Sequence, residues 1–374
     1  MLVLAAWPVL LFTQVAPSVK PSAVPEAWWS GKIERPLRCS ANKYPAILGF
    51  DFRYWTGLDF TLNLDQFLPL KSGGRIYVLF RVTPEGRPAR FFLQRQFMPA
   101  AGQLPPGVKL KNLQFTVGGG VHLGVGKYKL DAVVADQDGR ACRQSWQVDA
   151  KPVAEPLRQE PLTVESVPPP KPRVPGEARQ RVAIVANADT FGPRRYSAKL
   201  SARDRSVLVD SLQSLAASWD TADFSLHLLH LERRQVLLTE ARLEQASFDR
   251  IDEALRKLDT TTVDLGSLQR GARGDFFARF VERSLSEWSG YDAVIFAGPA
   301  WRWFDRLPEP ARKKFSDLPR LYHLAMTPIR FPPDNLFKQF VAAQDGQVFN
   351  VNYPADLARA IKKIRQDRRL ADTR

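Results

Sequence analysis

At 374 residues the chain is long enough for two ordinary domains, each with its own core. Its 44% apolar and 25% charged residues are a globular composition and exclude a disordered chain. The net charge of +15 divides as 23 − 14 = +9 over residues 1–180 and 31 − 25 = +6 over residues 181–374, so no single basic domain or arm is set up for nucleic acid, and no nucleic-acid partner is expected.

The N-terminus carries an apolar run from Leu2 to Phe12, too short to span a bilayer but of the length found in a signal peptide, with the small residues Ala16 and Ser18 placed before a cut. Residues 1–20 are therefore expected to be a signal peptide, although no Lys or Arg precedes the run. No other stretch is apolar enough to span a membrane. The expected location is periplasmic or extracellular. Cys39 and Cys142 allow a single pairing. In an oxidising compartment it would close a long loop; the alternative is two unrelated buried thiols. Neither has a neighbouring His and no CxxC occurs, which argues against metal or thiol chemistry through them.

Residues 30–150 read as an all-β, sandwich-like domain. Phe50, Phe52 and Tyr54 would share one face of a strand Gly49–Trp55. Ile76–Phe80 and Phe91–Leu93 are buried-strand runs. Tyr128, Leu130, Ala132 and Val134 alternate with Lys127, Lys129 and Asp131, predicting one apolar and one polar face. Asp136-Gln137-Asp138-Gly139 is a reversing turn that leads into Cys142, Trp146 and Val148. The glycine-rich run Gly118–Gly126 opens no helix and lacks a Lys-Ser/Thr ending, so it is expected to be a loop between strands rather than a phosphate cradle. Residues 151–180 hold eight prolines and read as a semi-rigid linker.

From residue 181 to 374 the period changes to that of a doubly wound α/β domain. A buried strand Val182–Ala186 ends in Asn187-Ala188-Asp189-Thr190. A helix follows, with Ser201 and Asp204 as its capping box and Leu208, Leu212, Leu215 and Trp219 on one face. Phe224–Leu231 and Val236–Leu238 flank the turn Glu232-Arg233-Arg234 as a hairpin. Further helices are expected from Ser247, striping Phe248, Ile251, Leu255 and Leu258, and over Asp275–Ser289, closed by Gly290. Strands Tyr291–Phe296 and Leu321–Met326, helix Leu336–Ala343, strand Gln347–Val351 and helix Ala355–Ile364 complete the alternation. The clusters Arg312-Lys313-Lys314 and Lys362-Lys363-Ile364-Arg365 fall on solvated helix faces and leave room for attraction to an anionic envelope surface.

This order, strand–helix–hairpin–helix–threonine loop–helix–strand, resembles the von Willebrand factor A domain over residues 181–366. The most telling stretch is the hairpin whose last strand ends at Thr239, then a helix, then Thr260-Thr261-Thr262-Val263-Asp264-Leu265-Gly266. The first domain, with Gly126–Leu130 and its D-x-x-G turn, resembles the sandwich beside such domains in some secreted bacterial proteins. The resemblance implies an oxygen-lined Mg²⁺ site built from a D-x-S-x-S loop, a threonine loop and an Asp after the fourth strand. Here Asn187 stands at the first Asp, Asp189 at the first Ser and Phe191 at the last Ser. Ala297-Gly298-Pro299-Ala300-Trp301 supplies no carboxylate, and Thr261 or Thr262 alone matches. The metal site therefore reads as degenerate, and no cofactor is expected.

Ligands of such sheets bind beyond the carboxyl ends of the strands. The candidate rim for partner binding is Asn187, Asp189, Thr190, Thr261, Thr262, Trp301 and Trp303. No G-x-S-x-G occurs and no His lies near these positions, so no catalytic residues are assigned. His227 and His230 form an HxxH pair, but residues i and i+3 of a strand face opposite ways and cannot share a metal without a bulge. The expected function is an exported, non-enzymatic scaffold that contacts a protein partner through its upper loops. The alternatives are a hydrolase acting on an envelope polymer through Asp189 and Asp264, and a weak binder of nucleic acid or anionic surfaces.

Overall fold

The computed structural model describes residues 18–19, 28–29, 33–67, 74–98, 114–152, 164, 180–191, 200, 202–219, 221–258, 271–299, 306–326 and 335–367. The chain divides into two units: residues 1–49, 53–152 and 159–166, and residues 50–52, 153–158 and 167–374. Among the described residues no helix is long and apolar enough to cross a membrane.

Among the described residues the first unit is all strands apart from short 3-10 turns. Its strands are β1 (Ser18–Val19), β2 (Cys39–Leu48), β3 (Tyr54–Asn63), β4 (Gly74–Pro84), β5 (Arg90–Met98), β6 (Gln114–Leu123), β7 (Gly126–Asp136) and β8 (Ala141–Ala150). They form two antiparallel sheets, ordered β2-β3-β6 and β1-β5-β4-β7-β8. Alternate residues of β3 and β6 (Leu58, Phe60, Leu62, Val117, Val121) are fully buried, as are Ile76, Val78, Phe80, Val82, Leu130, Ala132 and Val134 of the facing strands. Burying a side chain of this size contributes about 1.5–3 kcal/mol, so this layer is the main source of the unit's stability. The Cys39–Cys142 disulfide joins β2 of one sheet to β8 of the other, with Cα atoms 6.4 Å apart. At the start of β7, the buried Tyr128 hydroxyl donates to the Gly124 carbonyl (3.0 Å), a tyrosine corner; burial pushes its phenol up to about 12.

Three expectations for this unit change. Gly49–Arg53 is the turn between β2 and β3, not a strand: Gly49 N–H donates to the Arg53 carbonyl (2.7 Å) and Phe52 has φ 58°. Gly118–Gly120 is not a loop but the middle of β6, paired residue by residue with β3. A Cβ on Gly119 would lie 2.1 Å from Gln94 Oε1, so the Gln94 side chain occupies the space that the glycine leaves between the sheets. Asp131 is buried rather than solvated. Trp29 packs over Leu79, Val133, Ala135 and Ala141, and under this cover Arg81 makes two hydrogen bonds to Asp131 (3.0 and 2.8 Å) with its guanidinium 5.1 Å from the Trp29 ring. The expected reversal does form: Asp136 Oδ1 accepts from Asp138 N–H and Arg140 N–H, with Gly139 at φ 78°.

The second unit holds strands β9 (Gln180–Asn187), β10 (Ala222–His230), β11 (Gln235–Glu240), β12 (Ala293–Pro299), β13 (Arg320–Met326) and β14 (Gln347–Val351) in one sheet, ordered β11-β10-β9-β12-β13-β14. All neighbours are parallel except β11, which returns antiparallel from β10. Helices α1 (Ala202–Ser218), α2 (Gln245–Lys257) and α6 (Pro354–Arg365) bury Leu212, Ile251 and Ile361 with Val182 and Ile184 of β9. Helices α3 (Ala272–Trp288), α4 (Glu309–Arg312) and α5 (Leu336–Ala343) bury Phe277, Ala311 and Phe340 with Ala183 and Val185 from the opposite face. A parallel strand buried on both faces must be apolar at consecutive positions, which is why Val182–Ala186 and Ala293–Ala297 read as unbroken apolar runs. α2 begins two residues before Ser247: Glu244 is its N-cap, and Ser247 at N3 donates to Glu240 and accepts from the Glu244 amide. α3 begins at Ala272 and ends at Trp288, with Ser289 rather than Gly290 as the C-cap. Ser201 and the Thr260–Gly266 loop lie outside the described residues.

His323, mid-way along β13, is fully buried, edge-on to Phe337, and among the described residues neither ring nitrogen has a hydrogen-bond partner. Burial, and secondarily the Lys338 charge, lowers its pKa from 6.5 to about 3. The unfolded chain therefore takes up a proton near pH 6.5 that the folded one refuses. The native state has its full stability above that pH and loses it as pH falls toward 3. His323→Leu is expected to raise unfolding free energy at neutral pH by about 1–3 kcal/mol, by removing the orphaned polar atoms, and to flatten its decline below pH 6.5; denaturant unfolding across pH measures both. Replacing Cys39 and Cys142 together by Ala opens a loop with a sequence separation of 103. A loss of about 2–5 kcal/mol is expected in the unfolding of the first unit, read by calorimetry on the full chain.

Candidate functional site

The chain runs from β9 to β10 on one side of the sheet and from β12 to β13 on the other, so β9 and β12 are neighbours whose outgoing connections part. In open α/β sheets the crevice beyond that point is the usual ligand position. The residues there are Asn187, Ala188, Asp189 and Thr190 after β9, and Gly298 and Pro299 at the end of β12.

The first loop is folded onto the β10–β11 turn. Ala188 N–H donates to the Leu229 carbonyl (2.7 Å). Asn187 Oδ1 accepts from Asp189 N–H (3.3 Å) and Leu231 N–H (3.4 Å), while Asn187 Nδ2 donates to Asp189 Oδ2 (3.1 Å). Asp189 Oδ1 accepts from Glu232 N–H (3.3 Å) and lies 3.4 Å from His230 Nδ1. His230 Nδ1 in turn accepts from Arg233 N–H (3.0 Å). Asn187, Asp189 and His230 are 3%, 1% and 1% exposed, so an amide, a carboxylate and an imidazole are all turned inward and tied to backbone amides. A catalytic Asp–His pair needs Nδ1–H to donate to the carboxylate. Here that nitrogen offers its lone pair to the Arg233 amide instead.

The other positions follow the same logic. Phe191 is buried in the core beside α1, so its position serves packing. Gly298 has φ 140°, and a Cβ on it would lie 2.7 Å from the Asn187 carbonyl oxygen. Its close approach to β9 leaves no room for a carboxylate-bearing side chain. Next to it, the Pro299 carbonyl accepts from Asn335 Nδ2 (3.5 Å), and Asn335 Oδ1 caps α5 by accepting from Lys338 N–H (2.8 Å). Thr190 is half-buried. Thr261, Thr262, Asp264, Trp301 and Trp303 lie outside the described residues. Among the described residues, no group of three His, Cys, Asp or Glu side chains is placed to hold a metal ion.

The histidine pair does not act together. The β10–β11 pairing carries a register shift between Leu228 and Leu229, the bulge that a shared site would need. Even so, His227 stands edge-on to Phe280, with Nε2 3.4 Å from Glu287 of α3, while His230 sits under the hairpin turn beside Asp189. Sequence reading missed the partnership of His230 with Asp189, because it depends on the turn folding back over the first loop. A polar residue ending a buried strand, one step before a turn, is the signal that could have suggested it.

No protein-family model matches the chain, and no curated protein does. Among solved structures, superoxide reductase (neelaredoxin) from Archaeoglobus fulgidus aligns over 32% of this chain and 94% of its own at 13% identity, with a TM-score of 0.20. A β-glucosidase from Listeria innocua aligns over 33% of this chain and 17% of its own at 9% identity, with a TM-score of 0.19. Likenesses of this size define neither fold nor function.

Asp189→Ala removes the carboxylate to which the Glu232 amide and Asn187 Nδ2 donate, and Gly298→Ala drives a Cβ into Asn187. Each is expected to lower unfolding free energy by about 1–3 kcal/mol, equally with Mg²⁺ and with chelator. A cost for Asp189→Ala that appears only with Mg²⁺ would identify a metal ligand instead.

Proposed function

We propose that the second unit is an A-type adhesion domain with a degenerate metal site, and that the protein is an exported, non-enzymatic scaffold which holds a protein partner on its upper loops. The domain reading is supported by the chain order β9–α1–β10–β11–α2–α3–β12, by the sheet order β11-β10-β9-β12-β13-β14 with its single antiparallel edge strand, and by helices on both faces. The observation that carries the functional reading is the inward turn of Asn187 and Asp189. With their oxygens committed to the loop and hairpin backbone, contact at this end rests on loop shape and on the aromatic residues after β12, Trp301 and Trp303, residue types that dominate protein-contact hot spots. Export is supported by the inter-sheet disulfide, a bond that persists in oxidising compartments. The burial of Asp189 counts against a hydrolase that works through Asp189 and Asp264.

The test is a pull-down from an envelope extract with the full chain, in Mg²⁺ and in chelator. Equal recovery of the same partner in both is expected, with loss on Trp301→Ser/Trp303→Ser. A strict Mg²⁺ requirement would overturn the degenerate-site reading, and recovery unchanged in the double variant would overturn the aromatic contact.

A further inference from the structure

The three-stranded sheet of the first unit has one face on the core and one toward solvent. Register places Ile47, Tyr44 and Asn42 of β2, Trp55, Gly57 and Asp59 of β3, and Gly120, Gly118 and His122 of β6 on the outer face. Ile47 is 56% exposed and Asn42 is exposed, while Tyr44, Trp55, Asp59 and His122 are half-buried.

Two properties set this face apart. First, its glycines form a floor on which functional groups lie flat. A Cβ on Gly120 would come within 2.5 Å of Trp55 Nε1, and one on Gly118 within 2.0 Å of Asp59 Oδ1. The indole therefore lies over one bare backbone and the carboxylate over the next. Glycine inside a strand costs about 0.5–1 kcal/mol relative to alanine, and it marks places where a ligand or another backbone approaches closely. Tyr44 fixes both groups: its ring stands 5.6 Å from that of Trp55, and its hydroxyl donates to Asp59 Oδ2 (2.5 Å). Second, in a chain of net charge +15, none of the positions that register places on this face is Lys or Arg, and Asp59 is the one carboxylate among them. The rest are aromatic, hydroxyl, amide and glycine, with the aliphatic Ile47 and the imidazole of His122. Such a surface offers no lysine or arginine to a polyanion, and it sets hydrogen-bonding groups directly beside two aromatic rings, the combination that suits a neutral, hydroxyl-rich ligand with an apolar face.

We infer that the outer face of the β2-β3-β6 sheet is a binding site for a neutral oligosaccharide. The apolar C–H face of a pyranose ring stacks on the Trp55 and Tyr44 rings. Its hydroxyls donate to Asp59 Oδ1 and exchange hydrogen bonds with the Asn42 amide and the His122 ring. The face runs roughly 26 Å along β3 from Trp55 to Asn63, room for several sugar rings in a row.

Cellotetraose and tetra-N-acetylchitotetraose, each titrated calorimetrically into the full chain, test this, with hexalysine as the cationic control. At least one of the two sugars is expected to bind in the micromolar to millimolar range. Trp55→Ala should weaken that binding about tenfold or more, and Asn42→Ala, which removes an exposed side chain, about threefold. Should Trp55→Ala fail to fold, Tyr44→Phe replaces it: it frees Asp59 without uncovering Gly120, and a measurable change in sugar affinity is expected. Binding of neither sugar at millimolar concentration, sugar binding indifferent to all folded variants, or binding of hexalysine instead would each overturn the proposal. If Trp55 serves only to shield Gly120, its substitution moves the unfolding midpoint and no binding constant.

Discussion

The upper end of the α/β unit is governed by how closely β12 passes β9. With the Gly298 Cα against the Asn187 backbone, no side chain fits between the two strands at the point where their outgoing connections part. The loop after β9 is then held from the other side, where Asn187 and Asp189 satisfy amides of the β10–β11 turn and His230 takes the Arg233 amide. A crevice that in principle offers three polar side chains to a ligand offers them to the backbone. The same groups that would make a chemical site make a rigid shelf, and what is presented above it depends on the loops.

The first unit uses glycine for a related end at a different scale. Gly119 lets Gln94 reach between two sheets, while Gly118 and Gly120 let a carboxylate and an indole rest on the opposite side of the same strand. Three consecutive glycines thus serve both faces of β6 at once. That the run survives as a strand follows from its position between fully buried neighbours such as Val117 and Val121, whose packing outweighs the conformational freedom that glycine gives up on folding.

How far these features were legible follows from the range of the interactions behind them. Elements set by local periodicity were readable almost to the residue: Gln347–Val351 and Leu336–Ala343 coincide with their expected spans, and the β10–β11 hairpin closes on Glu232–Arg234. Features decided by contacts between distant segments were not. Asp131 reads as a solvated charge because nothing nearby in sequence announces that Trp29 will cover it. Gly118–Gly126 reads as a loop because glycine's low strand propensity is overridden by a partner strand some sixty residues away. Asn187 and Asp189 were singled out by their place after β9, but their inward direction depends on a turn forty residues later.

The bridge between β2 and β8 has a mechanical side. It encloses most of the first unit in one covalent loop with a sequence separation of 103. Tension applied along the chain passes from Cys39 to Cys142 through a single sulfur–sulfur bond and skips everything between. That withholds roughly 350 Å of contour length at about 3.4 Å per residue. While the bond is intact, a pulled chain can peel strands at the rim of the unit but cannot pay out its centre. The sheets so enclosed stay a short, stiff link in whatever assembly the protein joins.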